Sequence, residues 1–218
     1  VRIEPELLLS EIFYSIQGES SYAGYPCLFF RLAGCNLRCS YCDARYTYEE
    51  EATSMPVAAL LAEAEKYPQA IVEITGGEPL LQEGVYSLME ALLSAGRTVL
   101  LETNGSIGID RVPKEVVKIV DLKCPDSGMA EHMEPANLAL LAPHDEIKFV
   151  VSSRRDYDWA CGMLAEHGLA RKAKVIFSPV TSRLKPADLA GWLLADGLPA
   201  RLQLQLHTLL WPQEKRGV

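Results

Sequence analysis

Seven apolar runs rich in β-branched residues recur along the chain, at 27–32, 71–75, 98–101, 117–122, 146–151, 174–177 and 202–206. Each has the length of a buried strand. Segments of helical period separate most of them. Val85, Leu88, Met89, Leu92 and Leu93 fall on the i, i+3, i+4, i+7, i+8 positions of a single apolar stripe. Leu189, Trp192 and Leu193 do the same behind Pro186, a residue that a first helical position accepts. The segment 156–168 predicts a third helix, with Trp159 and Met163 on one face. Strands alternating with helices predict parallel strands joined by right-handed crossovers. A complete eightfold barrel takes about 250 residues. Roughly six units therefore predict an α/β fold of the TIM type left partly open, with a doubly wound sheet as the alternative for the same pattern. Between 98 and 117, Gly105, Gly108 and Pro113 leave room for only a truncated helix. No repeat, low-complexity tract or linker divides 1–218, so one domain is expected.

Charge narrows the partners. The 21 basic and 29 acidic side chains give a net −8. A chain of that sign gains nothing from counterion release on a phosphate backbone, so nucleic acid is an unexpected partner. No apolar run approaches the roughly 18 residues of a membrane span, and the opening Val1-Arg-Ile-Glu-Pro-Glu lacks the pattern of a secretory signal. Six cysteines are present, three of them within eight residues, Cys35-Asn-Leu-Arg-Cys39-Ser-Tyr-Cys42. Three thiolates so close can hold a 4Fe–4S cluster by three irons and leave the fourth open, whereas clusters that only carry electrons take four. The alternative is zinc completed by His207 or Cys124, but zinc ligands come as separated pairs and no second pair exists here. A cluster requires a reducing interior, and a cytoplasmic location is expected.

Polar and turn-forming residues collect after the predicted strands: Thr75-Gly-Gly-Glu78-Pro, Glu102-Thr-Asn104-Gly, Lys123-Cys-Pro-Asp-Ser127-Gly, Ser178-Pro-Val and His207. Parallel α/β folds build active sites on the carboxyl ends of their strands, so these clusters predict one rim. Gly76 and Gly77 let backbone approach a ligand closely, and Glu78 offers a carboxylate to an ammonium group. Alone, Gly-Gly-Glu is an ordinary turn. Beside the cysteine trio it predicts S-adenosylmethionine, an amino acid that chelates the open iron while its sulfonium faces the cluster.

These stretches resemble the radical S-adenosylmethionine superfamily, marked by the same C-x3-C-x2-C spacing. Ser15-Ile-Gln-Gly-Glu19, Phe30 to Asp43, Ile74 to Gln82, Glu102 to Gly105, Asp121 to Gly128, Asp145 to Phe149 and Gln205-Leu-His207 resemble, within it, the 7-carboxy-7-deazaguanine synthase family. The resemblance implies a radical ring contraction of 6-carboxy-5,6,7,8-tetrahydropterin that expels ammonia, on the route to queuosine. An external one-electron reductant and a homodimer are implied with it. Cys35, Cys39 and Cys42 are then the cluster ligands. Ile16, Gln17, Gly18, Arg31 and Thr75 are expected at the substrate. Arg31 suits its carboxylate through a bidentate fork, and Gln17 suits its amide edge. Tyr41, Cys42, Asp43, Gly76, Gly77, Glu78, Asn104, Lys123 and Ser127 are expected at S-adenosylmethionine. Cys124 and Cys161 read as core or loop residues.

Three positions depart from the family pattern. Ala44 stands where a threonine hydroxyl ligates Mg2+ in the family, and a methyl group cannot bind a cation that demands oxygen; Mg2+ stays among the cofactors the resemblance implies, held by a neighbour such as Asp43 or by water and substrate alone, with a site that does without it as the alternative. Ser20 replaces a common glycine, and Thr208 a common lysine. The rival readings are a glycyl-radical-enzyme activase, which shares the cysteine and Gly-Gly-Glu stretches but has His where Asp43 stands, and a non-catalytic zinc-binding protein.

Overall fold

The nine strands form a single curled sheet in the order β3-β1-β2-β4-β5-β6-β7-β8-β9. The computed structural model describes residues 5–212 and 216–218. The strands are β1 (Glu6–Ile16), β2 (Pro26–Leu32), β3 (Thr53–Pro56), β4 (Ile71–Gly76), β5 (Val99–Thr103), β6 (Val117–Asp121), β7 (Glu146–Val151), β8 (Lys174–Pro179) and β9 (Arg201–Leu202). From β2 to β9 every neighbour is parallel, while β1 and β3 pair antiparallel at one edge. The helices are α1 (Tyr46–Glu49), α2 (Val57–Glu65), α3 (Gly84–Ser94), α4 (Asn137–Leu140), α5 (Arg154–His167), α6 (Pro186–Asp196) and α7 (Leu206–Leu210). None is long and apolar enough to cross a membrane among the described residues.

Seven parallel strands follow one another in chain order without reversal, so the sheet winds in one direction. A doubly wound sheet reverses at a switch point; this one curls into an open barrel. Side-chain alternation along each strand separates the two faces. Val72, Ile74, Leu101, Val120, Ile147, Phe149 and Phe177 point outward and pack under Leu60, Leu88, Leu92, Tyr157, Leu164 and Leu189 of α2, α3, α5 and α6. Burial of each such large side chain contributes about 1.5–3 kcal/mol. The inner face holds a small apolar floor of Leu100, Val117 and Ile119, with Ile71 and Tyr22 against it.

The predicted helices appear with their stops. Ser153 caps α5 by accepting from the Asp156 amide at 3.3 Å, and Gly168 ends it in the left-handed region. Between β5 and β6 the truncated helix expected around Gly105, Gly108 and Pro113 is absent altogether. Two elements differ from expectation. The run 202–206 gives only the two-residue β9, because Gln203 and Gln205 turn their amides to a backbone carbonyl and to Glu19. His207 accordingly lies on α7, past a break in the chain direction. The long β1 carries no continuous apolar run, since its inward positions Glu11 and Phe13 face the cavity, and periodicity does not mark it.

The loop between β1 and β2 covers the amino-terminal end of the barrel. Gln17 and Tyr25 close it through Gln17 N to Tyr25 O at 2.8 Å, and the Ser21 amide donates to both Glu146 carboxylate oxygens at 3.0 Å. Ser20 is the one non-glycine residue with a positive φ among the described residues, at 63°. Left-handed backbone costs an L-residue about 1–2 kcal/mol, which explains why a glycine suits this place. Here the Ser20 hydroxyl accepts the Tyr22 amide at 3.1 Å and offsets part of that cost.

Candidate active site

The carboxyl ends of the strands surround a cavity of about 540 Å³, a volume typical of sites for small organic ligands. Its rim carries Cys35, Cys39 and Cys42, its wall Arg31, Thr75, Glu102 and Lys148, and its floor Gln17, Phe29 and Glu73. Rim and wall arise from one sequence habit. Several strands end on an inward polar residue two positions beyond an inward residue of the floor, as Glu102 does beyond Leu100 and Asp121 beyond Ile119.

The cysteine loop leaves β2 and is held by β4. Gly77 N donates to Leu32 O at 3.2 Å, and Glu78 N to Gly34 O at 2.8 Å. Two glycines make this approach possible. A Cβ on Gly77 would lie 2.1 Å from Gly34 O and 2.7 Å from Cys35 Cβ, and one on Gly76 would meet Leu32 O at 2.1 Å. None of the six cysteines forms a disulfide. Cys35 Sγ receives the Leu37 amide at 3.5 Å and the Asn104 side-chain amide at 3.7 Å, the kind of donor that tunes a cluster sulfur. Burial pushes the Cys39 and Cys42 thiols up; Lys123 opposes this at Cys39 and the Ala44 amide at Cys42. Metal binding displaces such protons.

The residues present fit a 4Fe–4S cluster with S-adenosylmethionine. Three uncommitted thiols share one cavity wall, bare glycine backbone lies beside them, and Asp121 Oδ1, buried in the cavity wall, has no hydrogen-bond partner among the described residues. Among those residues no three His, Cys, Asp or Glu side chains converge as one metal ion requires. A cubane takes its thiolates on three separate irons, whereas zinc asks for such convergence. The residues do not fit magnesium. Ala44 offers a methyl, the neighbouring Thr47 hydroxyl donates to Ala44 O at 2.8 Å, and Asp43 is exposed and accepts from Gln205 at 3.4 Å.

Of the residues expected at the cofactor, Tyr41, Cys42, Asp43, Gly76, Gly77, Asn104 and Lys123 line the cavity. Lys123 Nζ bonds Asp121 Oδ2 at 2.6 Å, and the Tyr41 hydroxyl donates to Val150 O at 3.1 Å. Two residues depart from expectation. Glu78 is fully buried and turned away from the cavity. Its carboxylate accepts from Leu80 N at 3.0 Å, Thr103 Oγ1 at 2.9 Å and Asn104 N at 2.7 Å. A carboxylate so saturated ties the β4 and β5 loops together instead of waiting for an ammonium group. Ser127 is also buried: its hydroxyl donates to Cys124 O at 2.6 Å and accepts from Met129 N at 3.0 Å, stabilising its own turn.

All five residues expected at the substrate, Ile16, Gln17, Gly18, Arg31 and Thr75, line the cavity. The Arg31 Nε donates to Glu11 at 2.7 Å, and the Tyr46 hydroxyl donates to the same oxygen at 2.7 Å. The two terminal Arg31 nitrogens take no partner among the described residues, which leaves a fixed guanidinium fork for an incoming carboxylate. Gln17 is less free. Its side-chain amide donates to Glu73, and its oxygen accepts the Glu19 amide at 2.9 Å. Gly18 O accepts from Leu206 N at 3.0 Å, drawing α7 over the open side.

Sequence reasoning assigned no role to Glu19, Glu73, Glu102 and Lys148, although all four line the cavity. Lys148 Nζ bridges Glu102, at 2.8 Å, and Glu19. Burial alone would raise the Glu102 carboxyl, but Lys148, Lys123 and the Thr75 hydroxyl hold it down at about 2. Burial raises Glu73 well above the carboxylate range, and Glu102 and Glu19 add to that. A signal existed for these residues: Glu73 and Lys148 each interrupt an otherwise apolar strand, and a buried charge demands a partner or a task.

A cysteine-rimmed cavity on the carboxyl ends of an open parallel barrel defines the class of radical S-adenosylmethionine proteins, and the Radical SAM superfamily model matches residues 31–126. The chain belongs to the 7-carboxy-7-deazaguanine synthase family. It is 49% identical to the 7-carboxy-7-deazaguanine synthase of Chlorobaculum tepidum, across 99% of both chains. It is 47% identical to that of Koribacter versatilis, across 96% of this chain and 99% of the relative. The crystal structure of QueE from Escherichia coli superposes with a TM-score of 0.77 at 23% identity, covering 92% of this chain and 94% of that one, and so shares the fold. These relatives favour neither the activase nor the zinc-binding alternative.

Proposed function

We propose that the chain is a 7-carboxy-7-deazaguanine synthase that converts 6-carboxy-5,6,7,8-tetrahydropterin to 7-carboxy-7-deazaguanine with loss of ammonia. The observation that carries the reading is one cavity with cysteines at its mouth and a guanidinium fork, Arg31, on its wall. Cys35, Cys39 and Cys42 would hold the cluster; when bound, it supplies the electron that makes S-adenosylmethionine a source of adenosyl radical. The chain's own residues bind and orient. Glu11 and Tyr46 hold Arg31 so that its free nitrogens grip the substrate carboxylate. Thr75, bonded to Glu102 at 3.1 Å, and Lys148 keep an ionised carboxylate beside the substrate ring. The loop 17–25 closes the amino-terminal end of the barrel, and α7, bonded to it through Gly18, lies over the open side. A cytoplasmic homodimer served by an external one-electron reductant belongs to the same reading.

The test is anaerobic incubation with reductant, S-adenosylmethionine and the carboxytetrahydropterin. Deazaguanine acid should form only when all three are present, and its absence would refute the reading. With Ala44 in place, adding magnesium should change the rate less than about twofold, because no side chain here supplies the lost oxygen.

Arg31→Ala should raise KM for the pterin about 10- to 100-fold. Charge-assisted hydrogen bonds contribute about 1.5–3 kcal/mol each. Uncoupled cleavage of S-adenosylmethionine should stay unchanged, because Arg31 is bonded to Glu11 and not to the cysteine loop. Parallel loss of both activities would show instead that Arg31 supports the whole site.

A further inference from the structure

One buried carboxyl group in the cavity has no cation among the described residues. Three acids, Glu19, Glu73 and Glu102, surround Lys148, which pairs with the first and the third. Arg31 pairs with Glu11 and Lys123 with Asp121. Among the described residues no lysine, arginine or histidine forms an ion pair with Glu73, which is 3% exposed. A buried carboxylate without a cation keeps its proton. Gln17 is oriented by the Glu19 amide on its oxygen, so its nitrogen faces Glu73 and donates to one carboxyl oxygen. The other oxygen takes no partner among the described residues, and Glu73 lines the cavity.

Strand register locates this group relative to Arg31. Arg31 pairs with Thr75, and Phe29 with Glu73. Glu73 therefore lies one inward step, about 6.6 Å, below the level at which a carboxylate would be gripped. That step is of the same order as the span from the carboxylate of a bicyclic aminopyrimidinone to the lactam of its far ring.

We infer that Glu73 is a substrate-contacting specificity residue: a neutral carboxylic acid on the cavity floor that donates a hydrogen bond to the lactam oxygen of the substrate, with Gln17 as its positioning residue. The inference rests on the proposed function and adds to it the group that reads the pyrimidinone. An ionised carboxylate would repel that oxygen, so the neutral state is what makes the contact favourable.

The experiment compares wild-type, E73Q and E73A holoenzymes for KM and kcat with the carboxytetrahydropterin, for uncoupled cleavage of S-adenosylmethionine and for melting temperature. Glutamine preserves a neutral donor of the same reach. E73Q should remain within about threefold of wild type in kcat/KM, while E73A should raise KM about 10- to 100-fold with a smaller change in kcat. Uncoupled cleavage should be equal in all three. E73Q as impaired as E73A, with both melting like the wild type, would show a working carboxylate anion and overturn the inference, as would a wild-type KM in E73A. A wild-type enzyme that cleaves S-adenosylmethionine but does not turn over the pterin would defeat the proposed function itself, and is recognised without reference to the variants.

Discussion

Cys39→Ala should remove both the brown colour of the anaerobically reconstituted protein and its turnover, while leaving the fold in place. Cys39 would be the middle ligand of three, and with Cys35 and Cys42 alone two irons of the cube would lack a protein anchor instead of one. Disturbing an outer-shell partner of a metal ligand costs about 10- to 100-fold in activity; deleting a ligand should exceed that and take turnover below detection. Stability should move little. Cys39 is half-buried in a loop whose hydrogen bonds run through backbone groups, such as Cys42 N to Cys39 O at 3.2 Å and Ser40 N to Ser127 O at 3.0 Å. Substitutions of that kind stay within about 1 kcal/mol. Iron content, visible absorbance and a thermal melt on the cluster-free protein separate the two effects. A variant that retains its iron and colour would remove Cys39 from the ligand set.

The second large effect should come from a residue with no side chain. Gly77→Ala places a methyl carbon 2.1 Å from Gly34 O and 2.7 Å from Cys35 Cβ. The obstacle is chiefly backbone, which cannot rotate away as a flexible side chain would. Overpacking costs about 1–3 kcal/mol, and more where nothing yields. For a chain of this length each kcal/mol lowers the melting temperature by about 2–4 °C, so a drop of roughly 5–10 °C is expected. The functional consequence should be larger than the loss of stability. Relief of the clash pushes Gly34 and Cys35 away from β4 and breaks the Glu78 N to Gly34 O bond, displacing the first of the proposed cluster ligands. Iron incorporation should fall severalfold even at temperatures where the variant is folded. Wild-type iron content together with an unchanged melt would show that the loop accommodates the methyl, and that the glycine serves the cofactor alone.

Most of the scaffold was legible because parallel strands buried on both faces read as compact apolar runs, and six of the seven runs form strands of nearly the expected extent. The helices at 84–94, 154–167 and 186–196 were equally plain from period, proline and glycine. The edge was not. In β1 the inward positions carry Glu11, because the edge of an open barrel faces a wet cavity, and in β9 glutamines divert the backbone. The cysteine trio and the glycine pair were readable as motifs, since spacing and the absence of a side chain are local properties of the chain.

Glu78, Ser127 and Gln17 mark the limit of such reading. A motif says which residues lie near a site but not which way their polar atoms turn. Glu78 is consumed by Thr103 and Asn104, Ser127 by its own turn, and Gln17 by Glu73 and Glu19. Thr103, Asn104 and Glu73 stand far along the chain from the residues they engage, and only folding brings them there.

What the sequence determined by itself was the local part: strand and helix period, the C-x3-C-x2-C ligand spacing and the bare backbone of Gly76 and Gly77, all fixed within a few residues. What only the tertiary structure decided was the division of charge. Glu19, Glu73, Glu102 and Lys148 come from three strands and a loop, and the single ammonium reaches Glu19 and Glu102 but not Glu73. In a cavity shielded from water that choice is set by distances of a few ångströms, and such distances exist only once the sheet has curled.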